Sequence, residues 1–516
     1  MHELADQNKR LFEENRKLAD QIRARPAAPV DPGVVPAQTA AAPTPTPPSP
    51  SPPAASEDLP PPAVASPVSD DSASVTAVPS TPMAAAAPVL NVPPAFSALL
   101  ESGGGPIDPG ADAGQGREFL AGRYDKGFVL VEPTDEQRTP FALKFNLTTQ
   151  VRYTAFARAA RTWTDSSGLV LPILQQSNFE LNRSWFTFSG FAFSPRLRFN
   201  TSVFTSSTRN VTVAMGAISY VFGKALTLSG GYFKVPGTRE WIESNRYTLG
   251  ADRTMANTFF RPSVSPGVWI TGEPLKGLYY YNGIFNDFNT AALGTDRRNN
   301  HMTYAANVWW EPLGAFGPGY SDEEYHEDLA VRTGSSFTFH RSLREPNLQA
   351  GLTNPENTIL RLSDGTPLFQ PSALAPGVTL SAASVALFSY DLAFKYRGFS
   401  LSGEYYARWI YDLDSRGGPV PRADRTIFDT GGFAQFAYAV IPRRFELFAR
   451  SSYVTGPFGS GSEWGGGTNW YVFADRNVRG TFEVKKINHS PASNSLYGYF
   501  AGQSGTLFQL QLLTDF

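Results

Sequence analysis

The chain has 516 residues, a formal net charge of −2 and no cysteine. That length exceeds one ordinary core, near-neutrality argues against a nucleic-acid binder resting on bulk charge, and the missing thiols exclude disulfides and thiolate metal sites. Mean hydropathy is −0.24. No apolar run approaches the ~20 residues of a membrane helix, but strand-built membrane proteins alternate and look soluble on average.

Residues 1–24 read as a short coiled coil. Leu4, Leu11 and Leu18 recur along one seam, and Asn8, Asn15 and Ile22 fill the other. A buried Asn at such a position sets register and oligomer state and weakens the coil. A solvated single helix is the alternative, since heptads this few are marginal alone. Met1-His2-Glu3-Leu4 is not a signal peptide, so a membrane reading expects a leader already removed or a start further upstream. Residues 25–116 are Pro, Ala, Ser and Thr with Gly, as in Pro60-Pro61-Pro62. This composition cannot bury a core and predicts a disordered, extended linker. Residues 117–140 form a lead-in of undefined structure.

From Phe141 the texture changes. Leu143, Phe145, Leu147, Thr149, Val151 and Tyr153 alternate with Lys144, Asn146, Thr148, Gln150 and Arg152. A two-residue period this long exceeds a usual soluble strand. Comparable segments recur to the end of the chain, about sixteen in all, an even number that suits a closed antiparallel barrel. The last, Gly505 to Phe516, ends on an aromatic carboxy-terminus. The connections support the same reading. Those expected on the side of the N-terminus are tight, as at Arg397-Gly398 and Pro442-Arg443, and most of the opposite ones are long. Two depart: 207–210 is short on the far side, and 312–327 is long on the near side. The fold class is therefore all-β: a transmembrane antiparallel barrel over 141–516, preceded by the helical segment and the linker. A loop is expected at 456–467, with Gly465-Gly466-Gly467 at its tip.

Several segments resemble the phosphate-selective O/P porin family of bacterial outer membranes. They are Ala121 to Leu130, Leu181 to Gly190, Gly231 to Pro236, and Asp252-Arg253 with Asn257 to Pro262 and Gly267-Val268-Trp269. The terminal Phe516 resembles the signal read by the barrel-assembly machinery. The resemblance implies a homotrimer of sixteen-stranded barrels in outer-membrane lipid. Each pore would be narrowed by a third long loop folded inward, and no chemistry would be catalysed. The dense cationic run of phosphate-specific members has no residue-by-residue match here.

Loop 236–266 occupies that third position. It carries Arg239, Glu240, Glu243, Arg246, Asp252, Arg253 and Arg261, mixed charges that would set a transverse field at a constriction. An ordinary solvated loop is the alternative. By parity Lys144, Arg152, Arg196, Arg198, Arg332, Lys395, Arg408, Arg450 and Lys485 face the lumen, against Asp391, Glu404, Glu446 and Glu483. This cationic excess suggests a weak anion preference, unless the charges pair locally. The acidic run Asp322 to Asp328 lacks an EF-hand spacing and reads as a solvated turn rather than a Ca²⁺ site. No metal, cofactor or catalytic constellation is expected. The functional expectation is passive diffusion of small hydrophilic solutes or anions. The alternative is a structural tether that joins the outer membrane to the cell wall through residues 1–100, with the N-terminal region in the periplasm.

Overall fold

The computed structural model describes residues 124, 127–132, 140–207, 211–288 and 301–516. The coiled-coil seam and the Pro-rich linker lie outside these residues.

The strands in chain order are β1 (Phe128–Val131), β2 (Phe141–Arg158), β3 (Thr162–Thr164), β4 (Val170–Pro172), β5 (Gln176–Ala192), β6 (Ser194–Ser206) and β7 (Val211–Gly223). Next come β8 (Leu226–Lys234), β9 (Val264–Leu275), β10 (Leu278–Phe285), β11 (Thr303–Trp310), β12 (Ala330–Leu343) and β13 (Thr379–Tyr396). Last are β14 (Phe399–Arg416), β15 (Ile427–Ile441), β16 (Phe445–Gly456), β17 (Gly459–Tyr471), β18 (Val478–Asn488) and β19 (Gly505–Asp515). Apart from the β3–β4 hairpin, these form one sheet of 17 strands. Removing the lead-in strand β1 leaves sixteen, each antiparallel to its neighbours, and β19 pairs with β2 to close the ring.

The closure is made by the last residue. Phe516 N–H donates to Leu147 O and Leu147 N–H to Phe516 O, both at 2.9 Å. Where β19 ends, β1 takes over the same edge of β2, pairing Phe128 with Phe145. The lead-in is thus partly strand. Its ladder covers backbone groups that would otherwise face lipid unpaired.

Alternation sets the faces. Along β19, Phe508, Leu510 and Leu512 point outward at 39%, 55% and 46% exposure, while Leu507, Gln509, Gln511 and Leu513 are buried inside. Aromatic pairs mark the two rims of the apolar band. Phe399 stacks on Tyr438 at 4.2 Å near one end of β14, and Trp409 on Phe428 at 5.2 Å further along. Ten residues at ~3.3 Å each, tilted by about 40°, span the ~25 Å expected of such a band. A closed ladder, an apolar exterior and a polar-lined interior define a transmembrane β-barrel of the outer-membrane type.

Three expectations need correction. The 456–467 loop does not exist: β16 and β17 are joined by Pro457 and Phe458 alone. Gly465-Gly466-Gly467 lies within β17, where a Cβ would meet backbone oxygens at 1.9–2.4 Å. Glycine there lets adjacent strands approach closely. The acidic run in the near-side segment after β11 is only partly buried: Glu324, Glu327 and Asp328 are exposed as a solvated turn would have them, but Asp322 and the residues leading into it, Phe316, Tyr320 and Ser321, are all at most 2% exposed. And loop 236–266 ends earlier than expected, since β9 begins at Val264.

Candidate functional site

The segment between β8 and β9 folds into the lumen. Two short helices shape it, α1 (Arg239–Ile242) and α2 (Met255–Phe260), capped by Thr238 and Thr254. A helix end buried in a barrel needs acceptors for its free N–H groups. The wall supplies them. Glu404 of β14 accepts from Arg239 N and Glu240 N at 2.6 and 3.2 Å, and Glu463 of β17 accepts from Met255 N at 2.8 Å. The wall residue Glu404 therefore anchors the loop.

On the flank toward β2 and β5, basic groups dominate. Asp252 bridges Arg152 at 2.7 Å and Arg183 at 2.6 Å, all with side chains at 0% exposure. Arg183 also pairs with Glu356 at 2.6 Å. Tyr497 Oη accepts from Arg253 at 3.1 Å and Arg261 at 2.9 Å, and donates to Glu356. Arg261 lies over the Trp241 ring at 3.8 Å. Burial alone would raise the pKa of Asp252, but Arg183 and Arg152 outweigh it and hold this carboxyl below the ordinary carboxylate range. The same contest, won by Arg183 and Arg253, lowers Glu356.

The opposite flank, toward β12, β13 and β14, is acidic. Arg239 lies 3.6 Å from Asp391 and 3.9 Å from Glu243. Arg332 reaches Glu243 at 3.4 Å and Asp391 at 3.5 Å. Glu240 accepts from Thr254 Oγ1 at 2.6 Å, and burial pushes its pKa up to about 7. Between the loop and the β2–β8 wall lies a small cavity of about 40 Å³, lined in part by Trp185, Phe233, Trp241, Arg246 and Arg253.

Every loop residue singled out from the sequence is buried inside the barrel, at 0–9% exposure. Arg246 pairs with Asp515 at the end of β19. The wall residues divide. Arg408 pairs with Asp429 at 2.7 Å, Arg450 with Glu483 at 2.5 Å, and Lys485 sits 3.7 Å from Glu463. Lys395 lies 3.3 Å from Glu324, and Glu446 accepts from Asn469 and Ser321. Lys144 is buried on β2. Arg196 and Arg198 sit at the near-side start of β6, where Arg198 Nε donates to Pro195 O. The cationic excess read from parity is thus reduced by Asp429 and Glu463, which that reading did not count, and most of the remaining cations are held in local pairs.

Arg183 was missed for a different reason. Gln150 pairs with Arg183 but Val151 pairs with Leu181, so Asn182 is an extra residue in the ladder. This bulge turns Asn182 and Arg183 both inward, at 0% exposure. Strict alternation places one of them in lipid. Arg183 next to the polar Asn182 was the available signal, since an Arg on the lipid face is costly.

The near-side segment brings Asp322, Glu324 and His326 within 4.8 Å. Internal bonds already occupy them. Asp322 accepts from Gly398 N at 2.7 Å and from His326 N at 3.2 Å, and its ring partner His326 Nδ1 lies at 2.5 Å. That hydrogen bond raises the His326 pKa. The stabilisation is fully present below the unfolded value of about 6.5 and is lost as pH rises through the raised folded value. We expect protection of the His326 amide against hydrogen exchange to fall as pH rises above the ordinary imidazole value of about 6.5. His326→Gln should remove that dependence; protection that stays flat in the parent would refute it.

No family model matches the chain, and no curated protein matches it. Solved structures with a similar course include an anion-selective porin from Comamonas acidovorans, with 10% identity and a TM-score of 0.45 over 73% of this chain and 100% of that one. The outer membrane channel DcaP of Acinetobacter baumannii gives 6% and 0.45 over 75% and 100%. Outer-membrane expressed OmpT of Vibrio cholerae gives 12% and 0.43 over 75% and 100%. At TM-scores below 0.5 these likenesses carry no weight for function, and the barrel stands on its own strand ladder.

Proposed function

We propose that this chain is a bacterial outer-membrane channel that passes small hydrophilic solutes by diffusion, with the loop between β8 and β9 as its constriction. The observation that carries this is the separation of charge across the lumen. Arg152, Arg183, Arg253 and Arg261 surround Asp252 and Glu356 on one flank. Glu243, Asp391 and Glu404, with the part-ionised Glu240, face Arg239 and Arg332 on the other. In the ring of sixteen, β2 is the first strand and β12 the ninth, half a turn away. A field across a narrow, low-dielectric passage orients dipolar solutes and slows apolar ones. Wall cations mostly have carboxylate partners, so the dipole, rather than a net cationic excess, is the basis for screening.

A homotrimer rests on the heptad seam and the family resemblance, and three barrels would bring three seams together. A tether to the cell wall through residues 1–100 rests on the heptad seam and the composition of the linker alone.

The test is single-channel conductance in a planar bilayer, with phosphate titrated against chloride. Current in steps of three, unaffected by phosphate, is the expected result. Current blocked by low phosphate would mean an anion-specific pore. A preparation that folds but carries no current would overturn the channel and move the weight to the tether.

A further inference from the structure

The near-side segment between β11 and β12 is long where the other near-side links are turns. It covers residues 311–329. Those residues reach across the near mouth of the barrel instead of hanging below it. Phe316 N donates to Glu311 Oε2 at 2.9 Å, which turns the chain inward. Tyr320 then packs edge-on against Phe433 of β15 at 6.1 Å. Ser321 Oγ donates to Glu446 of β16 at 3.0 Å, and Glu323 pairs with Arg476 in the turn between β17 and β18. The segment thus begins beside β12 and ends its reach near β18.

Its inner end meets the constriction loop. The Arg239 guanidinium sits between two rings of the segment, 5.2 Å from Phe316 and 4.7 Å from Tyr320. Arg239 Nη2 also donates to Gly319 O at 3.2 Å. The approach is so close that a Cβ on Gly319, whose φ is +71°, would lie 2.6 Å from Tyr247 Cβ. Lys395 Nζ adds a bond to Pro318 O at 3.0 Å from the wall.

The latch is imperfectly satisfied. Tyr320 Oη and Arg239 Nε and Nη1 are buried with no hydrogen-bond partner among the described residues. Buried polar atoms left unpaired favour states in which they regain partners. The cation is held by two ring faces, one carbonyl and two carboxylates beyond hydrogen-bond reach, Asp391 at 3.6 Å and Glu243 at 3.9 Å, contacts that can be broken without unfolding the wall.

We propose that residues 311–329 form a second, near-side constriction, a movable strap that Arg239 couples to the loop between β8 and β9. The strap narrows the pore below the transverse field, and solute passage requires the Arg239–Phe316–Tyr320 contact to open. Arg239 is a positioning residue here. It links two loops that enter the lumen from opposite mouths. This inference rests on the channel reading.

The test uses the full chain in a planar bilayer. Tyr320→Ala and Arg239→Lys both loosen the latch, the second with the charge kept, and each should raise single-channel conductance about twofold. Glu323→Ala removes the pair with Arg476 that anchors the far end of the strap, and it should raise conductance in the same way. Parent conductance in all three variants overturns the strap while leaving the channel intact. No current in the parent or any variant sinks the channel reading and the strap with it.

Discussion

Asp252→Ala should free the loop between β8 and β9 and leave a wider, noisier channel. Asp252 is the shared counter-charge of Arg152 and Arg183, and all three side chains are fully buried. Removing one partner of a buried ion pair costs about 3–5 kcal/mol, because the remaining charge stays desolvated without compensation. Arg183 keeps Glu356. Arg152 keeps only Gln511 Oε1, at 2.6 Å, and carbonyls such as Leu496 O. The loss falls on the loop, since the strand ladder that carries Arg152 and Arg183 is unaffected. Limited proteolysis of the folded barrel should cut the loop faster, and single-channel current should rise. Asp252→Asn keeps the shape without the charge and should lie between the two. Unchanged proteolysis and conductance in both variants would mean that the loop is held by its helix caps at Glu404 and Glu463 instead.

Leu510→Arg should impair insertion by an amount that a lumenal charge does not. Leu510 is central in β19 and faces outward at 55% exposure. A charge at mid-membrane on the lipid face of a barrel costs ~2–4 kcal/mol. The folded fraction in lipid vesicles at intermediate urea should drop by about tenfold or more, 1.4 kcal/mol being a factor of ten. Leu510→Ala removes apolar area without adding charge and should cost about 1 kcal/mol. Equal folding of the two variants would place Leu510 outside the apolar band and undo the assignment of faces.

Most of the barrel was legible before the fold was known, and particular residues show why. Phe508, Leu510 and Leu512 had to alternate with Gln509 and Gln511, because a strand has a period of two and lipid tolerates only one of the faces. The tight links at Arg397-Gly398 and Pro442-Arg443 separated the two mouths. Arg397 and Gly398 take φ values of +48° and +84°, as a two-residue hairpin of this hand requires. Gly465-Gly466-Gly467 misled because glycine in a strand and glycine in a loop look alike in one dimension. Which one it is depends on whether a neighbouring backbone comes within a Cβ radius. Arg183 was hidden by one extra residue, Asn182, whose presence in the ladder is decided by the partner strand.

The sequence by itself determined the class of fold, the order of its strands and, outside the bulge at Asn182, the face most side chains take. Those properties are local, set by period, turn chemistry and the cost of charge in lipid. Only the tertiary structure decided which charges meet. Asp252 lies 100 positions from Arg152, and Arg152 lies 359 from Gln511. No periodicity reports such pairs, because closing the ring brings distant strands together and loops from both mouths fill the space they enclose. The near-side segment shows the same division. Its acidic residues suggested a solvated turn; Glu327 and Asp328 stay exposed, and what drew the others against the barrel was a partner for each: Gly398 and His326 for Asp322, Arg476 for Glu323 and Lys395 for Glu324. A charged turn stays in water unless the fold supplies partners that repay its desolvation.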